Sequence, residues 1–117
     1  MATIIEVNQF LRRFKAQVTK QGGIELVHRD VNIKGIANLG LTLSDVDDYI
    51  LELKYLNYSL GPESDKDGSG GEIWIFCTQI NSRNVYIKLK LDTKAKCISF
   101  HPAEHSMHQP YNLGGTS

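Results

Sequence analysis

The groups that could do chemistry are concentrated late in the chain: Tyr86, Lys88 and Lys90 in NVYIKLKL, and His101 at the end of KCISFH. Histidine can take or give a proton near neutrality, tyrosine can hydrogen-bond or stack on a base, and lysine holds phosphate. Cleavage of RNA by its own 2′-hydroxyl calls for that set: a proton acceptor, a proton donor to the 5′-oxygen, and positive charge at the phosphate. The same residues also suit the ordinary solvated face of an antiparallel sheet, which has no chemistry to perform.

Strands must position them. Asn84–Leu91 and Lys96–His101 alternate with period 2 and are rich in β-branched and aromatic residues, and Asp92–Ala95 between them is short enough for a hairpin. A turn centred on Thr93 and Lys94 sets Ile87 against Phe100 and Leu89 against Ile98 on a core face. Tyr86 then meets His101, Lys88 meets Ser99 and Lys90 meets Cys97 on the other face. Glu72–Ile80, EIWIFCTQI, is apolar enough to be a central strand. A tight hairpin about Ser82-Arg83 would place Gln79 opposite Tyr86, giving a polar row Gln79–Tyr86–His101, with Trp74 and Phe76 against Leu91 and Leu89.

Upstream, Ile4–Gln21 is predicted to be a helix, with Thr3 and Glu6 as a capping box, an apolar stripe at Val7, Phe10, Leu11, Phe14 and Val18, and Gly22-Gly23 as its stop. A short strand follows from Ile24 to Val27 or His28. Asn32 is expected to cap a two-turn helix ending before Gly40, and Ser44 with Asp47 to cap a third helix striped by Val46, Tyr49, Ile50 and Leu53. Asn57–Leu60 is a further strand candidate. Residues 61–71, GPESDKDGSGG, read as a mobile loop, and the tail from 106 to 117 reads as frayed, with Tyr111 and Leu113 its candidates for docking. The order helix, strand, two helices, then a run of strands predicts one α+β domain over residues 1–117, its helices on one face of a mostly antiparallel sheet.

The totals narrow the function classes. Lys plus Arg equal Asp plus Glu at 13 each, so any affinity for nucleic acid must be local. Lys88, Lys90, Lys94 and Lys96 cluster late, while Asp45, Asp47, Asp48, Glu63, Asp65 and Asp67 cluster earlier. Cys77 and Cys97 match no zinc spacing and read as buried thiols of a cytoplasmic protein. A calcium loop starting at Glu63 fails because its twelfth position is Trp74. His28, beside Arg29, could line the rim of the open face, whereas His105 and His108 lie in the tail without metal-ligand spacing. No glycine-rich phosphate loop, membrane-spanning stretch or cofactor motif is visible.

The segments LGLTLSDVDDYILELKYLNYSLGPESDKDG, EIWIFC, VYIKLKL and KCISFHPAEH resemble the motility-quorum-sensing-regulator (MqsR) family of bacterial toxins, within the wider group of RelE-like ribonuclease toxins. The resemblance covers roughly residues 24 to 105, with VYIKLKL and CISFHP its most specific parts. It implies a metal-independent endoribonuclease, an mRNA interferase without cofactor, whose partners are single-stranded messenger RNA and a cognate antitoxin protein and whose place is the cytoplasm. Carried over by position, the family's catalytic tyrosine falls on Tyr86, and the basic residue of its last strand on His101, a lysine in the best-known branch. A family lysine falls on Ser59 and a family glutamine on Ile75, two departures from that branch. Gln79 could replace the glutamine in space, and Tyr58 or Lys54 could approach the lysine's place. The expected catalytic residues are therefore His101, Tyr86 and Lys88, with Lys90, Gln79 and Tyr58 binding substrate. The alternative is a non-catalytic RNA- or protein-binding module on the same scaffold.

Overall fold

Thr3 accepts from the Glu6 amide while Glu6 accepts from the Thr3 amide, and this reciprocal cap starts α1, Ile4–Gln21. Gly22, in the left-handed region at φ 84°, ends it. The computed structural model describes residues 1–65, 68 and 70–112. After α1 come β1 (Glu25–Leu26), α2 (Asp30–Asn38), α3 (Leu43–Leu51), a single 3₁₀ turn (Tyr55–Asn57), β2 (Tyr58–Ser64), β3 (Glu72–Ile80), β4 (Arg83–Leu91) and β5 (Ala95–Pro102). The strands form one sheet in the order β1-β5-β4-β3-β2, antiparallel except for the parallel pairing of β1 with β5.

The buried stripe of α1 lies on the even-numbered face of β3 and the odd-numbered face of β4. Phe10 stacks on Trp74 with ring centroids 4.6 Å apart, and Phe14, Phe76, Ile87, Leu89 and Phe100 complete the centre of the core. Val46 and Ile50 of α3 close one side with Leu53. No described helix is long and apolar enough to cross a membrane.

Two capping expectations are corrected. The box of α3 is Thr42 with Asp45, not Ser44 with Asp47. Asn32 is not an N-cap. It is fully buried within α2, where its side-chain amide donates to the Val27 and Ile98 carbonyls and accepts from the Phe100 amide. β1 covers β5 only at Lys96 and Cys97, and Asn32 supplies the next hydrogen bonds along that edge.

The strand registers differ from expectation in two places. Asn81 and Ser82, at φ 51° and 65°, make the two-residue turn between β3 and β4, so Cys77 pairs with Tyr86, Gln79 with Asn84, and Trp74 with Leu89. The shift is two residues, which changes partners without changing faces. Between β4 and β5 the expected pairs Tyr86–His101, Ile87–Phe100 and Lys88–Ser99 are present. A bulge beyond Lys88 then advances the register, so Leu89 meets Cys97 rather than Ile98, Lys90 meets Lys96, and a three-residue turn separates Leu91 from Ala95.

β2 continues through residues 61–64, which the sequence placed in a loop. In the tail, Tyr111 is half-buried, its ring stacked on Tyr58 and its hydroxyl donating to the Ala2 carbonyl, so docking holds at that position. The loop reading at residues 66, 67 and 69 and the tail reading at residues 113–117, Leu113 included, lie outside the described residues.

Candidate active site

The sheet face away from α1 carries a cavity of about 610 Å³, floored by β2, β3, β4 and β5 and rimmed by the start of α2 and the segment after β5. Tyr86 and His101 share its floor. They are direct cross-strand partners, their ring centroids are 5.4 Å apart, and their planes are inclined by only 20°. His101 Nδ1 lies 2.9 Å from the Pro102 carbonyl oxygen. A carbonyl can only accept, so this contact places the proton on Nδ1 and leaves Nε2 as the basic nitrogen of the neutral ring. Burial pushes the Tyr86 phenol pKa up, the Glu63 charge pushes it further, and Arg29 opposes them. Tyr86 is consequently a hydrogen-bond donor at neutral pH.

α2 comes unusually close to this pair. A Cβ on Gly35 would stand 2.6 Å from His101 Cβ and 2.9 Å from its Cα, so the helix backbone lies against the imidazole's own backbone. Asn32 secures the same approach one turn earlier through its bonds to either side of Ser99. Positive charge is supplied by half-buried Lys88, the strand partner of Ser99, and by Arg29, whose Nη1 donates to Ser99 Oγ at 3.2 Å. Both line the cavity.

The positions singled out in the sequence divide sharply. Tyr86, Lys88 and His101 converge on the cavity, together with Ser59 and Ile75, the two places where family residues are replaced. Lys90, expected to hold substrate, is 4% exposed, with Nζ 2.5 Å from Asp65 Oδ2 and 3.9 Å from Asp92 Oδ2; it joins the β2 end to the β4–β5 turn. Tyr58 is a core residue, 1% exposed, accepting from the Ala2 amide and donating to the Gly61 carbonyl. Gln79 is on the open face, but the turn, one residue earlier than expected, pairs it with Asn84 and leaves it outside the cavity lining.

Arg29 lines the cavity where its neighbour His28 does not, and His105 and His108 reach the rim. Only the spatial return of the chain after Pro102 reveals the last two, because their spacing fits no motif. Among the described residues no group of three or more His, Cys, Asp or Glu is disposed to hold a metal ion.

The family model described as motility quorum-sensing regulator, toxin of MqsA, matches residues 8–102. No curated protein and no solved structure matches the chain. The matched span runs from within α1 to the last residue of β5, and thus contains Tyr86, Lys88, His101 and the helix that braces them. The helix-flanked sheet is the RelE-like arrangement such a toxin requires. On that match, the chain belongs to the motility quorum-sensing regulator family of ribonuclease toxins.

Proposed function

We propose that single-stranded messenger RNA lies along the open face and is cut without a metal ion at a phosphodiester held by Lys88 and Arg29. The observation that carries this reading is the stacked pair Tyr86–His101, with Nδ1 tied to Pro102 and Nε2 left for proton transfer. His101 Nε2 takes the proton of the 2′-hydroxyl, and the 2′-oxygen attacks phosphorus as the bond to the 5′-oxygen breaks. Tyr86 gives its proton to the departing oxygen, leaving a 2′,3′-cyclic phosphate and a free 5′-hydroxyl. Lys88 and Arg29 offset the charge that gathers on the phosphoryl oxygens.

A cognate antitoxin protein holds this activity in check in the cytoplasm. The test is incubation of the purified protein with mixed messenger RNA, with and without EDTA. Cleavage that persists in chelator and leaves cyclic phosphate ends is the expected result. RNA bound but left intact would replace the nuclease with a non-catalytic RNA-binding module.

A further inference from the structure

The matched family span stops at the end of β5, yet the chain does not leave the cavity there. Residues 103–112 cross the end of the sheet as a strap. The Ala103 amide donates to the Asn84 carbonyl of β4 at 2.8 Å. Further on, Gln109 Nε2 donates to the carbonyls of Cys77 in β3 and Leu56 in the 3₁₀ turn, at 3.3 and 3.4 Å. Tyr111 fastens the far end through its ring stacked on Tyr58 and its hydroxyl bonded to the Ala2 carbonyl. Between these anchors, residues 104–108 form one wall of the cavity and make it a groove. Their side chains take part in none of the hydrogen bonds or ion pairs among the described residues, and all but Met107 are exposed. Backbone tied on both sides has already lost much of its freedom, so a ligand held by the middle orders little more.

Charge says which ligand that is. Arg29, Lys88, His101, His105 and His108 line the groove against one carboxylate among the described residues, Glu104. Arg29 and Lys88 serve the scissile phosphate on the floor in the scheme above. His105 and His108 stand on the wall, where a neighbouring phosphate of the same strand passes as it leaves the floor. A protonated imidazole donates from both ring nitrogens and carries a charge, whereas the neutral ring donates from one. Arginine, lysine and glutamate side chains keep their charge between about pH 6 and 8, and the Tyr86 phenol, raised by burial, stays neutral. Apart from His101 on the floor, the strap imidazoles are therefore the groups through which pH sets the groove's attraction for phosphate.

We infer that the strap is a second phosphate site for the RNA backbone, gripped by His105 and His108 and tightened as they gain charge. The inference rests on the ribonuclease reading for the path of the strand, and binding measured apart from cleavage separates the two. The probe is a mixed-sequence RNA twelve-mer without terminal phosphates, titrated onto His101→Ala protein so that the floor imidazole does not contribute. Its affinity should rise on the order of tenfold from about pH 8 to about pH 6, and the salt slope should steepen by about 0.7 for each imidazole engaged. His105→Ala with His108→Ala should remove both changes, while His105→Lys with His108→Lys should hold the tighter affinity at either pH. An unchanged pH response in the double alanine variant overturns the site, as does a pH-independent affinity before those changes are made. Cleavage by the unaltered protein alongside pH-independent binding would remove the strap site alone. Histidine-dependent binding without any cleavage would uphold the strap site and remove the nuclease reading alone.

Discussion

At the scale of single residues, His101 has more to lose than an ordinary outward-facing strand residue. It stacks on Tyr86 and lies beneath the Gly35 backbone, so His101→Ala should cost about 1 kcal/mol of stability through the lost ring contact. Its effect on single-turnover cleavage should be far larger, on the order of 10²-fold or more, if the imidazole transfers a proton. Wild-type rates across pH 6 to 9 would remove the histidine from the mechanism. His101→Lys should keep part of the activity with a higher pH optimum, since an amine titrates above imidazole. Tyr86→Phe is expected to slow cleavage without weakening RNA binding, because only the hydroxyl is lost. The two lysines should part company. Lys88→Ala should weaken binding and flatten its salt dependence at little cost in stability. Lys90→Ala should cost about 2 kcal/mol, discounted from a fully buried pair because the Asp65 side chain is 23% exposed. Guanidinium denaturation and salt-titrated binding, run on both variants, would expose any failure of that contrast.

At the scale of elements, the device that matters is α2 pinned to the edge of β5. Asn32 stands in for a missing strand there, bonding Ile98 and Phe100 on either side of the Ser99–Arg29 contact. Asn32→Ala would strand two carbonyls and one amide and should destabilise by about 3 kcal/mol. Its signature in urea is a lower midpoint at unchanged slope. Gly35→Ala tests the approach itself. The new methyl meets His101 backbone rather than a movable side-chain tip, so the helix must retreat, at about 1–3 kcal/mol. Cleavage should fall further than stability explains, because the imidazole moves with its strand. A fully active, destabilised Gly35→Ala protein would show that the brace has no bearing on the site. The α1 cap and stripe were legible in the sequence because helix signals are local. The Asn32 role was not, because its partners Ile98 and Phe100 are more than sixty residues away.

At the scale of the whole molecule, stability should fall at both ends of the pH range. The backbone amides of Thr3 and Lys94 hold Glu6 and Asp92 below the usual carboxylate range, and the Arg13 guanidinium does the same for Glu72. A lowered native pKa contributes stability above the unfolded value and loses it as pH falls through the native one. Asp47, raised by burial, works the other way. The alkaline limb comes from the opposite shift. Burial pushes the Cys97 thiol up to about 12 from an ordinary 9.0, and Cys77 and Tyr86 are also raised. A raised native pKa contributes stability that is complete below the unfolded value and is lost as pH climbs from about 9 toward about 12. Thermal unfolding from pH 3 to 11 should therefore show a plateau with two falling limbs, and Cys97→Ala should shallow the alkaline one. An alkaline limb of unchanged steepness in that variant would locate the effect elsewhere.

Alternation assigned the residues of β3 and β4 to their sides of the sheet, and it failed in β5 at the bulge, where Cys97 takes the core place expected of Ile98. Side-chain alternation has a period of two, so Tyr86 and Lys88 share a face; His101 joins them because it pairs directly with Tyr86, and the two-residue shift at Asn81-Ser82 left that face intact. The sequence by itself also determined the family, because VYIKLKL and CISFHP carry the tyrosine and the histidine that meet in space. Tertiary structure alone decided which members of that face are available to a substrate. Lys88 and Lys90 are indistinguishable by alternation, yet only Lys90 is covered and paired, by an aspartate twenty-five residues earlier in the chain. Gln79 lost its place because turn position sets the row in which a side chain lands, and a turn one position earlier moves every partner by two. Tyr58 went to the core because its hydroxyl finds the Ala2 amide and the Gly61 carbonyl there, a satisfaction that no local pattern encodes. Local periodicity sorts residues between faces; burial, register and distant partners decide which of them reach the groove.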